Sequence, residues 1–246
     1  MANTVVQQDN DNLILIVGES SGGKSASLQY LENPEGVLYL NCEANKKLPF
    51  PTKFAQLSIA DPYHVPTYFE TMESKAKCHT IVIDTLTFLM DMFESVHVIP
   101  ASDTQAAWGA YAQYFKNLMQ NQVAKATKNV IFCAHVQSIL NNENMTMERR
   151  VPVKGQLMKN GIEAWFSTIV SARTIAVDKL APYSNPLLNI TKENEEDGFK
   201  YVYQTRLTKE TVHDRIRSPM GMWSRAETFI DNNAQYLLNR LHEYYV

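Results

Sequence analysis

Leu13-Ile14-Leu15-Ile16-Val17 runs directly into Gly18-Glu19-Ser20-Ser21-Gly22-Gly23-Lys24-Ser25, and this join decides the fold. Apolar residues without alternation read as a strand buried on both faces, as in a parallel sheet. The stretch from Gly18 to Ser25 satisfies G-x-x-x-x-G-K-[ST], and residues 25–31 behind it can begin a helix that Asn33-Pro34 ends. Gly18, Gly22 and Gly23 let the backbone curl so that successive N–H groups converge on phosphate oxygens. The start of the following helix favours the same negative charge. Lys24 is placed to reach the β and γ phosphates, and the Ser25 hydroxyl to ligate Mg²⁺. The eight residues Gly18, Glu19, Ser20, Ser21, Gly22, Gly23, Lys24 and Ser25 are therefore the candidate phosphate cradle.

Outward from this join, short apolar runs alternate with helix-compatible stretches. Val37-Leu38-Tyr39-Leu40 closes on Asn41-Cys42-Glu43, Thr80-Ile81-Val82-Ile83 on Asp84, and Asn129-Val130-Ile131-Phe132-Cys133-Ala134 on His135. Residues 45–67 carry Pro49, Pro51, Pro62 and Pro66 and are expected to be irregular, apart from a short strand near 57–59. Residues 67–77 read as helical. So do 104–126, where Ala107, Tyr111, Tyr114, Phe115, Leu118, Met119 and Val123 keep a helical spacing. Residues 138–160 are polar with little apolar patterning and read as a mobile loop. Strands are expected at 165–177 and 200–207, an acidic turn at 193–198, and a mainly helical tail at 226–245. The prediction is an α/β fold with a mostly parallel central sheet flanked by helices. It divides into a polar N-terminal segment 1–12, a core 13–217 and a mainly helical C-terminal extension 218–246.

Composition narrows the function classes. The 246 residues are 45% hydrophobic and 20% charged, ordinary globular usage that argues against long disorder. No apolar run approaches the roughly 18 residues that span a bilayer. The segment from Met1 to Asn12 lacks the cationic and apolar regions of a signal peptide. Cys42, Cys78 and Cys133 lie far apart and fit neither a disulfide framework nor a zinc motif, so a cytoplasmic setting is expected. A net charge of −3 argues against coating nucleic acid through bulk charge. It conceals an asymmetry, because residues 1–123 balance at −6 (7 basic, 13 acidic) and residues 124–246 at +3 (16 basic, 13 acidic). An anionic polymer would meet the second half, as a local patch.

Gly18, Glu43, Asp84 and His135 all lie at the ends of predicted strands. In an open parallel sheet those ends face the ligand crevice, so four residues far apart in sequence converge on one edge. Asp84 suits a carboxylate that holds Mg²⁺ through its water shell. Glu43 can orient and deprotonate the water that attacks a γ-phosphate, or it can be a solvated loop glutamate. His135 can sense the γ-phosphate, or it can be a structural polar group.

This order resembles that of the RecA-like ATPases: phosphate loop, strand ending in Glu, strand ending in Asp, strand ending in a polar sensor, then a loop. Within that superfamily the chain is most similar to the small RecA-core nucleotide-binding proteins of bacteriophages, which include the Sak-type single-strand annealing proteins. The likeness covers about 13–217, and the phosphate loop is its one highly specific motif. It rests further on Leu38-Tyr39-Leu40-Asn41-Cys42-Glu43, Ile81-Val82-Ile83-Asp84-Thr85-Leu86-Thr87, Trp108-Gly109-Ala110-Tyr111 and Val130-Ile131-Phe132-Cys133-Ala134-His135.

The resemblance implies ATP and Mg²⁺ as cofactors, with Ser25 and Asp84 on the metal and Lys24, Glu43 and His135 as the catalytic set. His135 stands where RecA itself carries glutamine. The resemblance also implies a DNA-binding loop at 138–160, where Arg149, Arg150, Lys154 and Lys159 face Glu143 and Glu148. Contact of such a loop with phosphates would be sequence-independent and salt-sensitive. Among Arg206, Lys209, Arg215 and Arg217 it implies a cation that reaches a neighbouring subunit's nucleotide. The implied function is a Mg²⁺-dependent, DNA-stimulated ATPase acting on single-stranded DNA in phage-type recombination or strand annealing. A homo-oligomer (ring or filament) and a single-strand-binding protein are the implied partners, in the cytoplasm of a host bacterium. Two other readings stay open. One is a P-loop small-molecule or nucleotide kinase, although the usual acceptor-binding pattern is missing after Glu43. The other is a non-catalytic DNA-binding mediator switched by ATP.

Overall fold

Leu13–Gly18 forms strand β1, and its alternate residues enter two different cores. Ile14 and Ile16 pack with Leu28, Tyr39, Val82, Ile131, Val170, Leu237 and Leu241 on one face of the sheet. Leu15 and Val17 pack with Leu40, Ile83, Leu86, Leu89, Phe115 and Phe132 on the other. This is why the run is continuously apolar: a strand covered on both faces has no polar side to show. The computed structural model describes residues 10–141 and 145–245, so most of the polar segment 1–12 and Glu143 lie outside the described residues.

The remaining strands are β2 (Val37–Asn41), β3 (Ala55–Ser58), β4 (Thr80–Asp84), β5 (Asn129–His135), β6 (Gln137–Asn141), β7 (Thr146–Arg150), β8 (Thr168–Ala176), β9 (Phe199–Gln204) and β10 (Phe229–Asp231). The sheet order is β10-β9-β8-β1-β5-β4-β2-β3, with β6 and β7 forming a separate two-stranded hairpin. From β8 to β3 all neighbours are parallel, while β9 and β10 are added antiparallel. This is the mostly parallel α/β architecture of a P-loop NTPase core. One face carries helices α1 (His64–Glu73), α2 (Leu86–Phe93) and α3 (Thr104–Asn117), and the other carries the C-terminal helix Ala234–Tyr245. Thr85 and Asp103 cap α2 and α3 with side-chain oxygens that accept from Phe88 and Ala106 N–H groups. Among the described residues, no helix is long and apolar enough to cross a membrane.

Several local expectations are corrected. Residues 25–31 form a 3₁₀ segment, Ala26–Tyr30, because the Ser27 hydroxyl donates to the Lys24 carbonyl at 2.6 Å and competes with regular helical bonding. Helix α2 is unpredicted because its residues are apolar almost all round and leave no polar stripe. The helix expected over 104–126 ends as α at Asn117 and continues as a π-helical turn, Leu118–Val123. The acidic turn at 193–198 is a short helix, Lys192–Asp197, with Thr191 and Asn194 capping each other and Gly198 closing it in the left-handed region.

The largest correction concerns 138–160. Most of it is the β6–β7 hairpin, the Leu157–Asn160 turn and the connection between them, not an irregular loop. The pair stands off the main sheet with no buried face, so its sequence shows no alternation to read. Residues after 217 contribute β10 to the main sheet, and the C-terminal helix buries Leu237, Leu238 and Leu241 in the same core as β1.

Candidate functional site

The parallel register brings the four strand ends together. Gly18 is paired with His135, Asn41 with Asp84, and Asp84 with Cys133. Glu43 lies two residues past Asn41 on the same edge. The phosphate loop leaves β1 between β5 and β8, packed so closely on β8 that a Cβ at Gly18 would lie 2.7 Å from the Ala172 carbonyl oxygen. Gly23 adopts a φ of 91°, and its carbonyl accepts a hydrogen bond from Asn232 Nδ2 at 2.8 Å.

Lys24 is buried, and burial lowers its pKa. Its ammonium donates to the Gly18 carbonyl at 3.0 Å and the Glu19 carbonyl at 2.8 Å, and it meets His135 Nδ1 at 3.3 Å. An ammonium has only donors, so Nδ1 accepts and the imidazole proton sits on Nε2. From there it donates to Glu43 Oε1 at 3.3 Å. The other oxygen, Oε2, accepts from Lys46 Nζ at 2.7 Å. The hydrogen bond from His135, aided by Lys46 and opposed by burial, holds the Glu43 carboxyl down at about 2. Lys24, His135, Glu43 and Lys46 are thus one continuous polar chain along the sheet edge.

Asp84 is fully buried below them. Burial raises its pKa, and the neighbouring hydroxyls of Ser25 and Tyr39 act the other way. Its Oδ2 accepts from Tyr39 OH at 2.9 Å, while Oδ1 has no partner among the described residues. A buried carboxylate oxygen without a donor, beside the hydroxyl of Ser25, is an all-oxygen set that fits Mg²⁺.

Lys24, Ser25, Glu43, Lys46 and His135 line a cleft of about 760 Å³, a size that suits a nucleotide. The sequence model of one protein family, described as AAA domain, matches residues 10–214, from before β1 to the segment that follows β9. The chain belongs to this AAA-domain family. It is an ATP-binding P-loop ATPase. Comparison with curated proteins gives no match.

Within this AAA domain, the predicted loop residues Ser20 to Ser25, Glu43 and His135 line the cleft, and Asp84 lies beneath it. The cations expected on a DNA-binding loop are distributed differently from one another. Arg149 and Arg150 lie on β7, and Arg149 turns back to the phosphate loop, 3.0 Å from Glu19 Oε1. Lys154 pairs with Glu94, and Lys159 is exposed on the turn Leu157–Asn160. Of the late cations, Arg206 donates to the Trp223 carbonyl at 2.6 Å and Arg215 to Glu148 at 3.0 Å. Lys209 and Arg217 are exposed, with no ion pair among the described residues.

The opposite wall of the AAA-domain cleft was not predicted. Tyr30, Tyr201, Asn232, Asn233 and Tyr236 build it, alongside Lys200, whose ammonium is 3.1 Å from Asp231. No motif marks these residues. Lys46 was also missed, although it follows Glu43 by three residues and Asn41-x-Glu43 is a turn-forming pattern.

Proposed function

We propose that this AAA-domain ATPase is Mg²⁺-dependent and acts on single-stranded DNA, in recombination or annealing of the Sak type. The observation that carries the DNA part of this reading is the position of the β6–β7 hairpin. It begins two residues after His135, and Val136 N–H donates to the Gly18 carbonyl at 3.2 Å. Arg149 on its second strand reaches Glu19 of the phosphate loop. The hairpin exposes Leu140, Met145 and Met147 near Arg149 and Arg150. Cations suited to phosphates, with exposed apolar side chains beside them, are thus attached to the element that leaves the hydrolytic edge.

In the hydrolytic step Lys24 holds the β and γ phosphates. Ser25 and Asp84 would hold Mg²⁺, which when bound neutralises charge on those phosphates. Glu43 accepts a proton from water as the water oxygen bonds to the γ-phosphorus. The bridging bond between the β and γ groups breaks, its electron pair leaves on the ADP oxygen, and Glu43 returns the proton to solvent. His135, bonded to both Lys24 and Glu43, links the phosphate end to the base. In an assembly of copies, exposed Lys209 and Arg217 are the late cations free to meet a neighbour's nucleotide.

The test is steady-state ATP hydrolysis with Mg²⁺, titrated with single-stranded DNA at two salt concentrations. The expected result is stimulation that weakens with salt, is lost in Lys24→Ala, and falls in Arg150→Ala with the basal rate kept. A rate indifferent to DNA at both salt concentrations refutes the DNA reading and leaves an ATPase with another target.

A further inference from the structure

Lys46 reaches Glu43 by way of an uncommon backbone path. Ala44 and Asn45 between them have φ of 48° and 64°, two successive non-glycine residues in the left-handed region. Such residues persist only where the surroundings over-determine them, and they cluster at functional sites. Here the buried side chain of Asn41 holds both ends of the turn. Its Oδ1 accepts from the Glu43 N–H at 2.9 Å, and its Nδ2 donates to the Lys46 carbonyl at 2.8 Å. The result is an ammonium delivered to the cleft wall that also presents Glu43 and His135, facing the same space as Lys24 and Ser25.

The two partners are unequal. The Glu43 side chain is 8% exposed and that of Lys46 is 65% exposed. A solvent-exposed ammonium on a carboxylate is weakly held, and a terminal phosphate with more charge and more acceptor oxygens competes for it well. While the ammonium bonds Oε2 and His135 bonds Oε1, each oxygen of Glu43 already accepts one hydrogen bond, and the cation on Oε2 competes with any proton that oxygen would take.

We propose that Lys46 is a ligand for the terminal phosphate that keeps Glu43 engaged until a triphosphate enters the cleft. With a triphosphate bound, Lys46 turns to the γ oxygens, and Oε2 is released to take the proton of the attacking water. The bonds made and broken are those of the hydrolysis already described: water oxygen to γ-phosphorus formed, the β–γ bridge broken, its electron pair on ADP. A diphosphate, with no terminal group at that position, leaves the Lys46–Glu43 pair closed. The inference rests on the ATPase reading and adds to it a recognition of the third phosphate from within the same chain.

The experiment compares binding of ADP and of the non-hydrolysable β,γ-imido analogue of ATP, each with Mg²⁺, by calorimetry on wild-type protein, Lys46→Met and Lys46→Arg. Lys46→Met is expected to weaken the triphosphate analogue by about tenfold or more while ADP stays within about twofold. Lys46→Arg is expected to recover most of the loss. In parallel, kcat for ATP falls in Lys46→Met and is largely restored in Lys46→Arg. An equal loss for both nucleotides, or unchanged triphosphate binding and kcat, overturns the role of Lys46 alone. Wild-type protein that binds neither nucleotide overturns the ATP-site reading, and the Lys46 proposal with it.

Discussion

Glu43→Gln tests the pairing at the centre of the site. The glutamine can still accept from His135 Nε2, so the change removes charge more than shape. The carboxyl titrates at about 2 in the fold, against an ordinary 4.5, and His135 is the larger cause. A group whose folded pKa is depressed adds stability above its unfolded pKa and loses it as pH falls towards the folded one. At about 1.36 kcal/mol per tenfold change in proton affinity, that lowering sets a ceiling of about 3.4 kcal/mol at pH 7. Lys46, the second partner, is 65% exposed. Solvent screening of that partner lowers the expectation to about 2–3 kcal/mol. Integrating the linkage, nearly all of this survives at about pH 5 and less than half at about pH 3. Urea unfolding of wild type and Glu43→Gln at these three pH values measures the gap directly. The same variant should hydrolyse ATP about 10²–10⁴-fold more slowly while retaining nucleotide binding. A stability gap below about 0.5 kcal/mol at pH 7, or one that widens on acidification, refutes the pairing as described.

Two further predictions concern the walls of the phosphate loop. Gly18→Ala places a Cβ 2.7 Å from the Ala172 carbonyl, a backbone atom that cannot rotate away. It should cost about 1–3 kcal/mol, a Tm loss of about 2–12 °C. By contrast Gly109→Ala on the open face of α3, where an added Cβ meets nothing within 4 Å, should be neutral or raise Tm, and differential scanning of the two variants separates them. Asn232→Ala removes the hydrogen bond to the Gly23 carbonyl and should cost about 1 kcal/mol of stability. It should also weaken nucleotide binding by calorimetry; unchanged affinity would mean that Gly23 holds its conformation without Asn232.

The parts of the site that the sequence makes legible are those fixed by strand ends. Each of β1, β2, β4 and β5 is an uninterrupted apolar run that stops at a chemistry-bearing residue, and a parallel sheet gathers such stops on one edge. The register bears this out by pairing Gly18 with His135 and Asn41 with Asp84. The turn that delivers Lys46 has no comparable signature, because nothing in Ala44 announces a left-handed backbone; the cause lies in Asn41, three residues earlier. The far wall is harder still. Asn232 meets Gly23 across 209 positions, a contact that no local pattern encodes. The β6–β7 hairpin escapes for a third reason: without a buried face it has no need of alternating residues.

The phosphate loop is gripped from three sides, and the grips differ in strength. Under Gly18 lies the Ala172 carbonyl, at a distance that admits no side chain, and a Cβ at Gly22 would lie a tight 3.0 Å from the same oxygen. On Gly23 sits Asn232, tied to the C-terminal wall. On Glu19 sits Arg149 of the hairpin, and this pair alone is open to solvent, with side chains 62% and 37% exposed. An exposed pair of this kind contributes about 0–1 kcal/mol, whereas a substitution that forces the tight contact at Gly18 apart costs more. The tie between hairpin and loop at Glu19 is therefore cheap to break, and the contacts that hold the loop are not. That asymmetry suits a coupling between nucleotide and hairpin: a rearrangement at Glu19 can release Arg149 without dismantling the groups that hold the phosphates.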